Sequence, residues 1–329
     1  MKGNLTKGCL KGAEIQALGK TAGLARFRHS FISFGEDDYM DPVTAMYVAQ
    51  GIHGLAYGMV LFLVASGLTL IFGMMGILNL AHASFFMLSA YFAYTVLQLT
   101  GNFWLALLIA PVATATVGVL VERFLLRKVH AFGHVGELIL TIGVALVILD
   151  GVQAFWGTEN LPLPIPDILQ GLVNIGGLEY PAYRLFVIGL ALCLLAILAV
   201  ILYKTRLGMV VRAAVSDADM VNSLGINVPL VFMLVFGVGT WMAGIAGVAI
   251  APILTVFPGL ADQMGLDAFI VVVVGGFGSL SGAFIVSIIA GLLNAYGVQF
   301  VSSLAPVLMF IFMAIVLTIK PMGIFGERE

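Results

Sequence analysis

The sequence predicts an all-α polytopic membrane protein, and three observations carry this prediction. Of its 329 residues, 61% are hydrophobic and only 10% are charged, whereas a soluble domain carries about 25% charged residues. The mean hydropathy is +1.11. Residues 42–121 contain no Asp, Glu, Lys or Arg, and residues 268–319 are equally free of them. The net charge of -2 offers no basic surface, so no nucleic-acid partner is expected.

Glycine and proline positions divide the apolar sequence into nine segments. A membrane-spanning helix needs about 20 apolar residues. The segments are 46–75, 82–99, 103–121, 138–156, 185–203, 229–251, 266–277, 283–300 and 304–319. The seventh is too short to cross alone, so we expect eight or nine transmembrane helices within a transmembrane domain at 45–326. Transmembrane strands are not expected, because outward apolar and inward polar residues do not alternate.

Basic residues predict the orientation of the later spans. They cluster in 123–128, 204–212 and 320–328, and Lys and Arg are enriched in cytoplasmic loops. The Pro-rich loop at 157–183 contains acidic residues and no basic residue. We therefore expect the three basic regions inside and this loop outside.

The polar tail at 1–44 is expected to be disordered, with a weak amphipathic surface segment as the alternative. Counting spans back from the C-terminus places residue 45 outside, whereas the basic residues of the tail favour the inside. Either the first 75 residues cross twice, or the native start is Met40 or Met46. The tail lacks the apolar core of a signal peptide, so no cleaved signal is expected.

Two glycine-rich segments, 72–79 and 274–281, align without gaps and carry glycines at matching positions. Paired glycine-interrupted segments in corresponding halves indicate a transporter built from repeats, with its pathway at their interface. The sequence therefore predicts a possible internal repeat. The candidate pathway residues of the second segment are Gly275, Gly276 and Gly278. Glycines at Gly54-x-x-x-Gly58 spacing are expected to pack helices closely.

Polar side chains inside the spans are few, and each is a functional hypothesis. Asn79 and His82 lie at the break between the first two spans, where they line a solute pathway or cap the next helix. His53 is expected to form a hydrogen bond between helices. Asp150 is interpreted as the one acid well inside a span, either in a wet cavity or, as we favour, near the outer interface.

The segment 204–228 is too long for a turn. Ser216 is a plausible N-cap and Gly225 a natural C-terminal stop, which predicts a short cytoplasmic helix at 217–224. Its Ala218, Val221 and Leu224 could dock on another protein; the alternative is a solvated connecting loop. The sequence has no Walker A, dinucleotide-binding, H-E-x-x-H, C-x-x-C or G-x-S-x-G motif, so neither a cofactor, a metal nor an enzyme activity is expected.

Three motifs resemble those of the membrane permeases of binding-protein-dependent ABC importers for branched-chain amino acids. They are the run from Gly67 to His82, the loop from Thr205 to Asn227 and the glycine-rich run from Val274 to Ala283. The resemblance extends from about Tyr47 to Gly326, and it is closest to the H-type subunit. It implies an ABC importer permease fold and a multi-pass position in a bacterial inner membrane.

The resemblance also implies partners: a second permease subunit in a heterodimer, two ATP-binding subunits and a periplasmic solute-binding protein. The residues matching the family's ATPase-docking loop are Arg206, Gly208, Arg212, Asp217, Leu224 and Gly225. The sequence departs from the family pattern at Ala83, Met209 and Ser281, which leaves urea or short amides as alternative solutes. An ion-coupled carrier is the main alternative class, and few intramembrane acids argue against it. A membrane-embedded enzyme or a structural scaffold is less well supported.

Overall fold

The computed structural model describes residues 41–76 and 78–326. The α-helices of these ranges are α1 Pro42–Met75, α2 His82–Thr100, α3 Phe103–Val121, α4 His134–Trp156, α5 Ala182–Lys204, α6 Arg206–Ser216, α7 Ala218–Ser223, α8 Val228–Leu254, α9 Leu260–Gly275, α10 Leu280–Phe300 and α11 Ala305–Ile319. A π-helical turn at Glu122–Leu126 and a short turn at Arg127–Val129 extend α3. Strands β1 Leu172–Ile175 and β2 Leu178–Pro181 pair with each other.

Eight segments in the described ranges are long and apolar enough to cross a membrane, which confirms the predicted all-α polytopic class. They contain α1 to α5, α8, α10 and α11. Helix α9 is the predicted short seventh segment. It starts earlier than residue 266 and has 16 residues, about 24 Å of helix, which is less than a hydrocarbon core requires.

The chain divides into two compact units. The larger one comprises residues 48–172 and 181–329, and it carries most of the helical structure. The smaller one comprises residues 1–47 and 173–180, of which 41–47 and 173–180 are described. Most of the predicted tail at 1–44 lies outside the described residues, although 42–44 already belong to the first turn of α1.

Helix α1 packs against α10 through glycines, and the two helices run antiparallel. A Cβ added to Gly54 would lie 2.9 Å from the carbonyl oxygen of Gly291, and one added to Gly58 would lie 2.5 Å from that of Ser287. Overlap of this kind forces backbone shifts. The predicted packing role of the Gly54-x-x-x-Gly58 pair is therefore confirmed.

Helix α8 meets α1, α2 and α3 in the same manner. Gly239 lies against Gly67 of α1, Gly247 against the carbonyl of Phe86 in α2, and Gly244 against Pro111 in α3. Small residues let helix backbones approach closely where lipid supplies no hydrophobic drive between helices. By contrast, α4, α5 and α11 expose much of their apolar surface, which suits lipid or a neighbouring subunit.

Candidate functional site

The chain between α1 and α2 folds back alongside α1. We call residues 76–81 the break. His82, the first residue of α2, places Nε2 3.0 Å from the carbonyl oxygen of Val64, and Gly67 lies beside the same nitrogen. Since Val64 lies eleven residues before the end of α1, α2 begins roughly 16 Å back along α1 at 1.5 Å per residue. Non-helical backbone at such a depth in a membrane is tolerated only where it is buried in protein or lines a water-filled cavity.

Asn79 and His82 are both only 2% exposed. Asn79 Oδ1 accepts a hydrogen bond from the Ala81 amide at 3.1 Å, and its carbonyl accepts from the His82 amide. His82 Nε2 lies within hydrogen-bond distance of the Val64 carbonyl oxygen, which can act only as an acceptor. His82 therefore donates through Nε2 and keeps Nδ1 as an acceptor. These contacts give both residues a structural role in starting α2.

The same two side chains also keep polar atoms unused. Five buried polar atoms of α1, the break and α2 have no hydrogen-bond partner among the described residues: Thr69 Oγ1, Asn79 Nδ2, His82 Nδ1, Ser89 Oγ and Tyr91 OH. Buried polar groups in proteins are nearly always satisfied by protein or water. Each of these atoms could therefore be satisfied by water or a polar solute. Sequence reasoning missed Thr69, Ser89 and Tyr91, because nothing distinguishes them from other hydroxyl side chains in a span.

The second glycine-rich segment forms a tight turn between α9 and α10, which we call the glycine turn (275–279). Gly275 packs on the backbone of Gly282, and Gly278 packs on Gly73 at the end of α1. Gly276 and Gly278 have positive φ angles of 98° and 79°, which favour glycine. The two segments that align in sequence thus lie in contact, and the rings of Phe72 and Phe277 are 4.3 Å apart.

The C-terminal residues after α11 close over the glycine turn. The amides of Ile324 and Phe325 donate to the carbonyls of Val274 and Gly275, at 2.8 and 3.2 Å. Gly276 is buried against this segment. The structure therefore places Gly275, Gly276 and Gly278 at close backbone contacts. Their part in a solute pathway stays a prediction, as does the internal repeat. The break and the glycine turn both lie against the last third of α1.

The predicted docking loop contains two helices, and we call residues 205–227 the elbow. Thr205 caps α6 by accepting from the Gly208 amide at 3.2 Å. Gly208 is buried against the carbonyls of Ile201 and Leu202. Arg212 donates to the Leu202 carbonyl, and its guanidinium lies 5.7 Å from the centre of the Tyr203 ring. Gly208 and Arg212 thus fix α6 to the end of α5, and Arg206 is exposed in its first turn.

The short helix of the elbow differs from the prediction in its cap. Asp217 caps α7 by accepting from the Met220 amide at 2.8 Å, so the Ser216 N-cap was wrong and Ser216 ends α6. Helix α6 itself was not predicted. Gly225 has a φ of 85°, which confirms the predicted stop. Leu224 is 72% exposed, whereas Val221 is 4% exposed and already packed inside the chain.

The expectation that Asp150 is the one acid inside a span was wrong. Asp150 is exposed near the end of α4, whereas Glu122 and Glu137 are buried in the segments that contain α3 and α4. The Glu137 carboxylate contacts His130 and lies 3.4 Å from His134. Glu122 and Glu137 lie directly outside the predicted spans 103–121 and 138–156, on either side of the basic loop, which made them resemble loop residues. Within the described ranges, no group of three or more His, Cys, Asp or Glu could hold a metal ion.

The fold and these interrupted helices define a polytopic α-helical membrane protein. The chain belongs to the family described as "Branched-chain amino acid transport system / permease component", which it matches over residues 52–319. It is therefore a transport subunit, and the suspected resemblance is confirmed.

Individual relatives agree with this membership. The chain is 27% identical over 297 residues to the high-affinity branched-chain amino acid transport system permease protein BraD of Pseudomonas aeruginosa, covering 86% of this chain and 97% of that protein. It is 28% identical over 299 residues to the LivH protein of the same description from Escherichia coli, covering 86% of this chain and 96% of that protein.

Among solved structures, PsaBC from Streptococcus pneumoniae in complex with Fab shows a TM-score of 0.47 at 11% identity, covering 83% of this chain and 92% of that chain.

Proposed function

We propose that the chain is a permease subunit of an ABC importer and forms the path for branched-chain amino acids across a bacterial inner membrane. A periplasmic solute-binding protein feeds the path, a second permease subunit completes it, and two separate ATP-binding subunits drive it. The observation that carries this proposal is the family match over residues 52–319. The names of the relatives support the solute class.

The elbow supports the ATP-driven part of the proposal. Helix α6 is held to α5 by Gly208 and Arg212, so a force applied to the elbow reaches a membrane helix. Leu224 and Met220 are 72% and 61% exposed. Exposed apolar side chains on a short, well-capped helix are typical of a surface that another protein covers. The ATP-binding subunit is the partner that we assign to this surface.

Buried polar atoms at the break support Asn79 and His82 as pathway residues. Asn79 Nδ2 and His82 Nδ1 lie among apolar helices without a partner in the described structure, and intramembrane polar groups commonly mark solute paths. Three acids in helical segments have buried or partly buried side chains: Glu122, Glu137 and Asp267. They keep the ion-coupled carrier as the second candidate.

Uptake measurements separate these two candidates. Cells that express this chain with its neighbouring transport subunits are given radiolabelled L-leucine. We expect uptake to require ATP and to continue after a protonophore collapses the proton gradient while ATP is held constant. Uptake that stops under that condition supports the carrier. Uptake of urea and not of leucine assigns the short-amide alternative.

A further inference from the structure

One face of α3 is exposed and mostly apolar along its whole length. Leu108 is 68% exposed and Val112 is 52% exposed. The exposed residues follow one another at intervals of three or four, which is the spacing of a single helix face: Leu105, Leu108, Val112, Thr116 and Leu120. We call these five residues the α3 face. In a membrane helix such a face contacts lipid acyl chains or a neighbouring subunit.

The α3 face ends in basic side chains. Arg123 and Phe124 lie three and four residues after Leu120. Arg127 and Lys128 lie four residues further on, so they continue the same side of the helix. All of these side chains are exposed. The Arg123 guanidinium lies 5.6 Å from the centre of the Phe124 ring, and a positive cluster therefore follows the apolar face directly.

The length of the segment places these basic residues at the level of lipid head groups. Phe103–Val129 is an apolar helical segment of 27 residues, about 40 Å long at 1.5 Å per residue. The hydrocarbon core of a bilayer is about 30 Å thick, which about 20 residues cross, and the head groups add to that thickness on both sides. A helix that enters the core at Phe103 therefore leaves it close to Glu122, and residues 123–128 follow in the head-group layer.

The chain offers these basic side chains little compensating negative charge. Two acids, Glu122 and Glu137, flank the turn between α3 and α4, and they are only 2% and 1% exposed. Glu122 interacts electrostatically with Arg127. Within the part of the chain that the structure describes, no Asp or Glu oxygen lies within 4.0 Å of a nitrogen of the three basic side chains. Arg123 and Lys128 are therefore the two charges most available to an anion from outside the chain.

A phospholipid fits both parts of this surface. Its acyl chains contact the α3 face, and its phosphate accepts hydrogen bonds from guanidinium and ammonium groups. A protein partner fits less well, because lysine is depleted in protein interfaces relative to the rest of the surface. Basic residues beside membrane helices, by contrast, attract anionic lipid head groups.

We propose that Arg123 and Lys128, together with Phe124 and the α3 face, bind an anionic phospholipid of the surrounding leaflet. The two basic side chains hold the phosphate. A lipid with net negative charge, such as phosphatidylglycerol, is preferred to phosphatidylcholine, because the choline group carries a positive charge that the two side chains repel. This inference goes beyond the proposed function, since it assigns a lipid ligand to a surface outside the break, the glycine turn and the elbow.

The test measures lipid binding to the full-length chain, purified in detergent with the subunits that co-purify. Delipidated protein is titrated with dioleoyl phosphatidylglycerol or with dioleoyl phosphatidylcholine, and native mass spectrometry counts the bound lipids. The wild type should be half-saturated at a lower concentration of phosphatidylglycerol than of phosphatidylcholine. Arg123→Gln and Lys128→Gln should each raise the half-saturating concentration of phosphatidylglycerol about fivefold, with binding of phosphatidylcholine unchanged.

Two controls separate the site from general charge effects. Lys320→Gln removes a basic residue after α11 whose Nζ donates to the Ile324 carbonyl at 3.4 Å, and it should leave the preference for phosphatidylglycerol intact. The exchange of Arg123→Lys with Lys128→Arg keeps both charges and should also retain the preference. If the double Gln variant is not monodisperse, the two single variants carry the same comparison.

The contrary results are equally specific. An unchanged preference for phosphatidylglycerol in both Gln variants overturns the lipid site. Loss of a co-purifying subunit from these variants, with lipid binding unchanged, assigns the surface to a protein interface and also overturns it. An equal loss of phosphatidylglycerol binding in Lys320→Gln shows a general charge effect and does the same. None of these results bears on the permease function, which uptake measurements test separately.

Discussion

The break between α1 and α2 and the elbow between α5 and α8 both interrupt the series of membrane helices, but their surroundings are opposite. Asn79 in the break and His82 at the start of α2 are buried, and both retain polar atoms without partners in the described structure. Met220 and Leu224 of the elbow are apolar and exposed. Polar groups inside a membrane protein call for water or a solute, whereas apolar groups outside call for a partner protein. Under the proposed function, we therefore expect the two regions to have separate tasks: solute passage at the break and coupling to the ATP-binding subunits at the elbow.

The predicted docking residues of the elbow include some that hold its shape and one whose apolar side chain is exposed. Gly208 and Arg212 contact the end of α5, and Asp217 caps α7. These three residues of the predicted docking set hold the elbow in shape. Leu224 is free to contact another protein, so substitutions at the two kinds of position should have different consequences.

The largest expected effect comes from the packing of α1 against α10. A side chain at Gly291 would overlap the backbone of Gly54 and Gly58, and overpacking a close interface costs about 1–3 kcal/mol or more. Gly291→Leu should abolish recovery of monodisperse protein in detergent. Gly143→Leu is the matched control, because a Cβ at Gly143 meets open space. Equal yields of the two variants would contradict the packing account.

The next largest effect concerns the elbow. Leu224→Glu places a charge on the surface that we assign to the ATP-binding subunit, so solute-stimulated ATP hydrolysis should fall about tenfold, the effect of losing roughly 1.4 kcal/mol of interaction. Uptake and hydrolysis are measured in the reconstituted complex. Leu99→Glu, at a leucine that is 80% exposed at the end of α2, should retain stimulation. Loss of stimulation in both variants, or in neither, removes the docking assignment.

A third prediction concerns the break. Asn79→Asp preserves a side-chain oxygen as the acceptor for the Ala81 amide, while it removes the Nδ2 donor. We expect leucine uptake to fall severalfold. Asn102→Asp is the control, since Asn102 caps α3 through Oδ1 on the amides of Trp104 and Leu105. Wild-type uptake in the Asn79 variant would show that this residue serves only as the acceptor for the Ala81 amide.

The smallest expected effect is at the C-terminal segment over the glycine turn. Gly323 has a φ of 83°, and a Cβ there would lie 2.6 Å from Gly276. Gly323→Ala should lower the melting temperature in detergent more than Gly101→Ala, which has a φ of 64° and open space. We expect the free energies of unfolding of the two variants to differ by about 1–2 kcal/mol. An equal shift for the two variants would show that the close contact is not formed.

The sequence was most informative where the signal is local. Charge-free runs placed the spans, and the break at Asn79 and the stop at Gly225 follow from residue type. Contacts between distant segments were not accessible, because the sequence does not say that Gly54 meets Gly291 or that Tyr57 meets Asp267. Helix α6 was missed although Thr205, its N-cap, is a local signal. The burial of Glu122 and Glu137 depends on how α3 and α4 pack, which nearby basic residues obscured.

The most direct test of the division between passage and drive is reconstitution of this chain alone in vesicles, with labelled leucine outside and an imposed proton gradient. The account predicts no accumulation above equilibrium, because the energy comes from partner subunits at the elbow. Concentrative uptake by the chain alone would contradict it.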